Sequence, residues 1–178
     1  MTTRRLPWPA RDASPYGPAV HRARLPVSFD FEWPVRVYWE DTDAGGIVFY
    51  ANYLKFMERA RTEWLRTLDI EQRRLREATG GMFVVSETRL KYHRPARLDD
   101  ELVVTARLVE SRSASLVIAQ RVLSKPEHDS PAQQALLCEG TIRIGWVVAA
   151  TLRPARIPAA ITETMERASG SMSETSSP

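Results

Sequence analysis

One helical stripe constrains this chain more than any other feature. Phe49, Tyr53, Phe56, Met57, Ala60, Trp64 and Leu68 recur at a spacing of three to four residues, while Lys55, Glu58, Arg59, Arg61 and Glu63 include the polar side. The spacing predicts one amphipathic helix of roughly five turns, long enough to cross a small sheet. A stripe this rich in large aromatic side chains is read as core, to be buried against something equally apolar.

Beyond the stripe the chain is almost entirely strand-like. "IEQRRLREA" reads as a second, short and charged helix ended by Gly80-Gly81. "MFVVSETRLKYH" is a long strand stopped by Pro95, and "ARLDD" turns the chain into "ELVVTARLVE". "ASLVIAQRVL" and "ALLCEGTIRIGWVV" are two more strands, the second with Gly140 and Gly145 as bulge or close-approach points. Ahead of the long helix, "WPVRVYWED" alternates Val35, Val37 and Trp39 against Arg36, Tyr38 and Glu40, the pattern of a half-buried strand. "RPARIPAAITETMERA" closes with a short helix from Pro158.

Strand, long helix, then four strands is an α+β order. An antiparallel sheet of about five strands wrapped around one long central helix hides both apolar faces, and that arrangement is the hotdog fold. The expected domain spans residues 34–168, between a basic Pro/Arg-rich tail at 1–33 and a Ser-rich tail at 169–178, both without apolar periodicity. A sheet of this size covers one side of the helix and leaves edges, which predicts a homodimer or homotetramer.

Charge separates the tail from the domain. Residues 1–29 carry five arginines against Asp12, a net +4, so the remainder of a chain of net charge +3 is slightly acidic. The folded part therefore offers no net basic charge for nucleic acid. No apolar run has the length of a membrane span, and the tail lacks the apolar core of a secretory signal, so a cytoplasmic location is expected. The single cysteine, Cys138, lies in a strand-like context and is read as a buried structural thiol.

The chemistry is expected just upstream of the long helix. "EDTDAGGIVFYANYLKFMERARTEW", residues 40–64, places Asp41 and Asp43 before the flexible pair Gly45-Gly46. Taken alone, Asp43 reads as a turn or capping residue. A helix beginning near Phe49–Tyr50 also presents free backbone N–H groups and partial positive charge at its first turn, a place to stabilise a developing oxyanion. Gly45 and Gly46 would let the main chain pass close to a substrate held over the helix's positive end.

The stretch "VYWEDTDAGGIVFYANYLKFMERARTEWLR" resembles the active-site segment of the YbgC and 4-hydroxybenzoyl-CoA thioesterase family of hotdog enzymes. The likeness continues through "VVSETRLKYHRPARLDDELVV" and covers about residues 34–160. It implies hydrolysis of acyl-CoA or acyl-carrier-protein thioesters, with no metal or redox cofactor. It puts the catalytic carboxylate, as nucleophile or general base, at Asp43 and the oxyanion donor at the Tyr50 backbone N–H. Tyr50 stands where many YbgC-type members have histidine and where the hydroxybenzoyl branch has tyrosine, so a histidine general acid is lost while the backbone role survives. The hairpin "VESRSASL" would contact the nucleotide, with Arg112 and Ser115 on phosphate-binding positions; Ser113 and Ala114 depart from the pattern. Phe49, Tyr50, Phe56 and Met57 are candidates to line the acyl tunnel, and Asp41 is read as a brace for the turn.

The competing reading is a hotdog module that binds acyl-CoA without hydrolysing it, as a sensor or scaffold. An unpaired carboxylate beside a thioester argues against it. A hydratase would need a His–Asp pair, and His21, His93 and His128 belong to no such constellation in the sequence.

Overall fold

The computed structural model describes residues 31–125 and 134–170. Five strands form one antiparallel sheet: β1 (Phe31–Arg36), β2 (Gly81–Tyr92), β3 (Glu101–Ser111), β4 (Ser115–Ser124) and β5 (Leu136–Val148). Their order across the sheet is β1-β3-β4-β5-β2, so β1 and β2 are the edges. The long helix α1 (Asn52–Thr67) crosses one face of this sheet, against β1, β3 and β4. A short α2 (Gln72–Thr79) lies along β2, and α3 (Ala159–Gly170) packs on β3.

Burial follows the predicted stripe. Tyr53, Phe56, Met57, Ala60 and Trp64 of α1 are all buried, and they meet the alternate residues Leu102, Val104 and Ala106 of β3 and Leu116, Ile118 and Val122 of β4. Ile157, Ile161 and Met165 close the same core beside α3. Gly80 ends α2 in the left-handed region at φ 68°, as a glycine C-cap should. Gly140 marks a close approach: a Cβ there would sit 2.3 Å from the Arg89 carbonyl oxygen. Gly145 has open space by comparison, its nearest atom being the Ala114 oxygen at 3.9 Å.

Two local expectations fail for identifiable reasons. The first strand ends at Arg36, and Trp39–Asp41 forms a 3-10 turn in place of continued alternation. Beyond Arg36 the ladder is lost: Val37 donates its N–H to Asp100 O, and the Asp41 carboxylate takes the Tyr38 N–H at 3.0 Å. A side-chain acceptor has outcompeted the sheet. Trp39 consequently points outward and is 78% exposed. The helix starts at Asn52, three residues past Phe49, because Phe49 still belongs to the preceding hairpin, where its N–H bonds Asp41 O at 2.8 Å.

The sheet already includes Phe31, ahead of the boundary placed at residue 34: Phe31 and Trp33 pair with Ala106 and Val104 and stack on each other. At the other end α3 runs to Gly170, past residue 168. Residues 1–30 and 171–178, where the tails are expected, lie outside the described residues.

Candidate active site

The chain between β1 and α1 folds back on itself. Thr42 and Val48 form an isolated antiparallel bridge, the Asp43 N–H bonds Ile47 O at 2.9 Å, and the Phe49 N–H bonds Asp41 O. This miniature hairpin returns the chain so that Phe49 lies opposite Asp41 and Tyr50 comes next, at the mouth of the helix. Ile47 bridges Arg97, and Val48 donates to Ala96 O, which anchors the hairpin to the loop before β3.

Its tip explains the two glycines. Asp43 Oδ1 accepts the Gly45 N–H at 2.8 Å, and Asp43 O accepts the Gly46 N–H at 3.0 Å. Gly46 has φ 72°, where a side chain is strained. A Cβ on Gly45 would stand 3.0 Å from Asp43 Oδ1, against the carboxylate itself. Asp43 is exposed, and among the described residues its Oδ2 has no hydrogen-bond partner. One oxygen holds the turn and the other is available.

Asp41 has the opposite environment. It is 1% exposed, with its carboxylate on the Tyr38 N–H and its carbonyl accepting both the Phe49 N–H and, at 3.0 Å, the Asn52 side-chain amide. The Asn52 amide also reaches Glu40 O at 3.4 Å. Asp41 therefore braces the turn.

At the helix mouth, Phe49 O accepts the Asn52 N–H at 2.8 Å. The Tyr50 and Ala51 N–H groups have no partner among the described residues. Unsatisfied donors at a helix start are what an oxyanion needs. Tyr50 is 63% exposed, its ring 4.5 Å from Phe49 and 6.5 Å from Tyr92 between centroids. The Tyr92 hydroxyl donates to Tyr50 O at 3.0 Å, and the Tyr53 hydroxyl accepts the Ala96 N–H at 2.9 Å. Burial pushes both phenols above their ordinary pKa. Reading the sequence alone misses Asn52 and Tyr92; Tyr92 lies 42 positions from its partner, and no spacing announces it.

The acyl-lining candidates divide. Phe56 and Met57 are fully buried in the core, while Phe49 and Tyr50 are exposed on the segment that follows the Asp43 hairpin. A groove of about 480 Å³ runs between α1 and the edge strand β2, lined by residues that include Leu54, Glu58, Arg61, Val85 and Thr88. Arg61, expected on the polar side of the helix, is instead half-buried and donates to the Gln120 side chain at 2.6 Å, while Gln120 in turn donates to Met57 O. Burial draws its guanidinium below the ordinary arginine pKa, with Glu58 opposing. A second cavity, of about 350 Å³, is walled by Arg89, Lys91, Arg107 and Arg121 and lies away from Asp43.

Arg112 and Ser115 are not brought to Asp43. They flank the β3–β4 hairpin, where the Arg112 N–H bonds Ser115 O at 2.9 Å and the Arg112 guanidinium pairs with Glu110. The Asp43 hairpin sits at the start of β3 and this one at its end, about 33 Å along an eleven-residue strand. Cys138 is fully buried, and burial, with a smaller push from Glu139, raises its thiol pKa to about 12, so it is no nucleophile. Among the described residues no cluster of three or more His, Cys, Asp or Glu side chains has metal-binding geometry, and no helix is long and apolar enough to cross a membrane.

A five-stranded antiparallel sheet wrapped around one long helix is the hotdog fold. The chain belongs to the thioesterase-like superfamily, whose pattern it matches over residues 37–165. It is similar to the acyl-CoA thioester hydrolase YbgC of Escherichia coli O6:H1, 41% identical over 131 residues, covering 74% of this chain and 92% of that protein. The acyl-CoA thioesterase YbgC of Haemophilus influenzae is 39% identical over 128 residues, covering 72% and 88%. Among solved structures, a thioesterase from Thermus thermophilus complexed with coenzyme A and zinc superposes with a TM-score of 0.65 at 30% identity, covering 80% of this chain and 96% of that one.

Proposed function

We propose that this protein hydrolyses acyl-CoA thioesters to the free acid and coenzyme A at the Asp43–Tyr50 site. The observation that carries the reading is an exposed carboxylate oxygen on the turn before α1 and open N–H groups at the helix start, neither with a hydrogen-bond partner among the described residues. In this mechanism the thioester carbonyl oxygen docks on the Tyr50 N–H. Asp43 then attacks the carbonyl carbon, or takes a proton from the water that does. Negative charge gathers on the carbonyl oxygen as the tetrahedral species forms, where the donor and the helix end stabilise it. Collapse of that species breaks the C–S bond and expels coenzyme A as the thiolate, which takes up a proton. The water route leaves the free acid directly, and the nucleophilic route leaves an acyl anhydride on Asp43 that water then hydrolyses to the acid. The names of the curated relatives support the same reaction.

The test is a panel of acyl-CoA and acyl-carrier-protein thioesters assayed for free-thiol release. Turnover of at least one acyl-CoA is expected. Binding without thiol release across the panel would favour the acyl-CoA-binding module, and turnover of carrier-protein thioesters alone would change the substrate class.

The working enzyme in this reading is a homodimer or homotetramer. Among the described residues β2 is a twelve-residue edge strand with no neighbour beyond it, and it exposes Val85 beside Leu54. The separation of Arg112 and Ser115 from Asp43 points the same way: one coenzyme A touches both only if the groove is shared between chains. Light scattering at micromolar concentration should give twice or four times the chain mass, and a clean monomer would refute the assembly.

A further inference from the structure

We propose that Tyr92 is a positioning residue for this reaction: its phenol sets the peptide plane that adjoins the oxyanion donor. This rests on the assignment of Tyr50 as that donor.

In a trans peptide the C=O and the N–H that it is joined to point in opposite directions, so tethering one aims the other. Phe49 O is tethered to the Asn52 N–H at 2.8 Å, which aims the Tyr50 N–H away from the helix. The next plane pivots about the Tyr50 Cα, and its carbonyl is tethered by the Tyr92 hydroxyl at 3.0 Å. With both planes held, the backbone torsions of Tyr50 are fixed and the Tyr50 and Ala51 N–H groups keep one orientation. Without the phenol the second plane loses its own tether and is held only through the planes on either side, because Tyr50 precedes the helix and among the described residues its carbonyl accepts no other hydrogen bond.

Tyr92 is well placed to hold that contact. It ends β2 and pairs with Cys138 of β5, so its backbone is fixed by the sheet. Its ring packs edge-on against Tyr53 at 5.6 Å and Tyr50 at 6.5 Å. Burial, and then the proximity of Cys138 and Tyr50, raises the phenol's pKa, which keeps it a donor well into alkaline pH. A donor aimed at the loose carbonyl of a catalytic turn removes a reorganisation step from catalysis.

The experiment compares wild type, Tyr92→Phe and Asp43→Asn on one acyl-CoA substrate, with melting temperatures and the amide resonance of Ala51. Tyr92→Phe should lower kcat about tenfold, the scale of one hydrogen bond, with KM within about twofold and folding unchanged. The Ala51 amide, whose own peptide loses the bond, should shift. Unchanged kcat in Tyr92→Phe alongside a dead Asp43→Asn overturns the positioning role and leaves the mechanism standing. A loss confined to KM also overturns it, since Tyr92 would then be touching the acyl group. Full activity in Asp43→Asn refutes the reading on which both rest.

Discussion

Asp43→Asn is expected to lower thioester hydrolysis by about a hundredfold or more, the scale of losing general-base or nucleophilic participation. The substitution is informative because it changes so little else. Asparagine keeps the oxygen that accepts the Gly45 N–H at 2.8 Å, so the turn survives. It replaces the unpartnered Oδ2 with an amide nitrogen that neither attacks a carbonyl nor takes a proton. Substrate affinity and melting temperature should stay near wild type. Asp41→Asn is the matched control in the same loop, a buried brace whose acceptor for the Tyr38 N–H asparagine retains. Its activity should remain within a few-fold of wild type. Equal rates for Asp43→Asn and wild type would refute the mechanism, and a collapse confined to Asp41→Asn would move the chemistry to the other carboxylate.

Trp64→Ala should carry the largest stability loss, about 3–5 kcal/mol, because a buried indole in the last turn of α1 is exchanged for a void the surrounding strands cannot close. Against a typical total of about 5–15 kcal/mol, that is a melting temperature lower by about 10 °C or more. Trp39→Ala is the comparison that isolates burial. The residue type is the same, but Trp39 is 78% exposed on the 3-10 turn, and its removal should cost about 0.5 kcal/mol or less. Thermal unfolding measured by circular dichroism reads both; similar shifts for the two variants would mean the core is misplaced.

That pair of tryptophans also shows where sequence periodicity works. Trp64 belongs to a stripe sustained over four turns, and its burial among Phe56, Met57 and Ala60 is legible because each residue reinforces the same face. Trp39 belongs to a short alternation of period two, and one carboxylate accepting one N–H is enough to end the strand before it. The strands after α1 are readable to within a residue or two, since proline, glycine and "SRS" punctuate them. Within the candidate site, Asp43, Gly45, Gly46 and Tyr50 stand close together in sequence, and the Asp43 turn is closed by its own neighbours Gly45 and Gly46. Contacts made between distant elements leave no such trace. Tyr92 meets Tyr50 across 42 residues and Arg61 meets Gln120 across 59, and only the folded sheet brings either pair together.

The Asp41 carbonyl joins the two halves of the site through a single atom. It accepts the Phe49 N–H and the Asn52 side chain, so the segment bearing the carboxylate and the segment bearing the open N–H groups are tied to the same oxygen. On the mechanism proposed above, the carboxylate and the oxyanion donor are therefore held in register by one shared acceptor. The aliphatic and polar residues along the α1–β2 groove, Leu54, Val85 and Thr88, stand outside this arrangement. On the proposed mechanism, a library aimed at other acyl groups would vary the groove and leave residues 41–52 untouched.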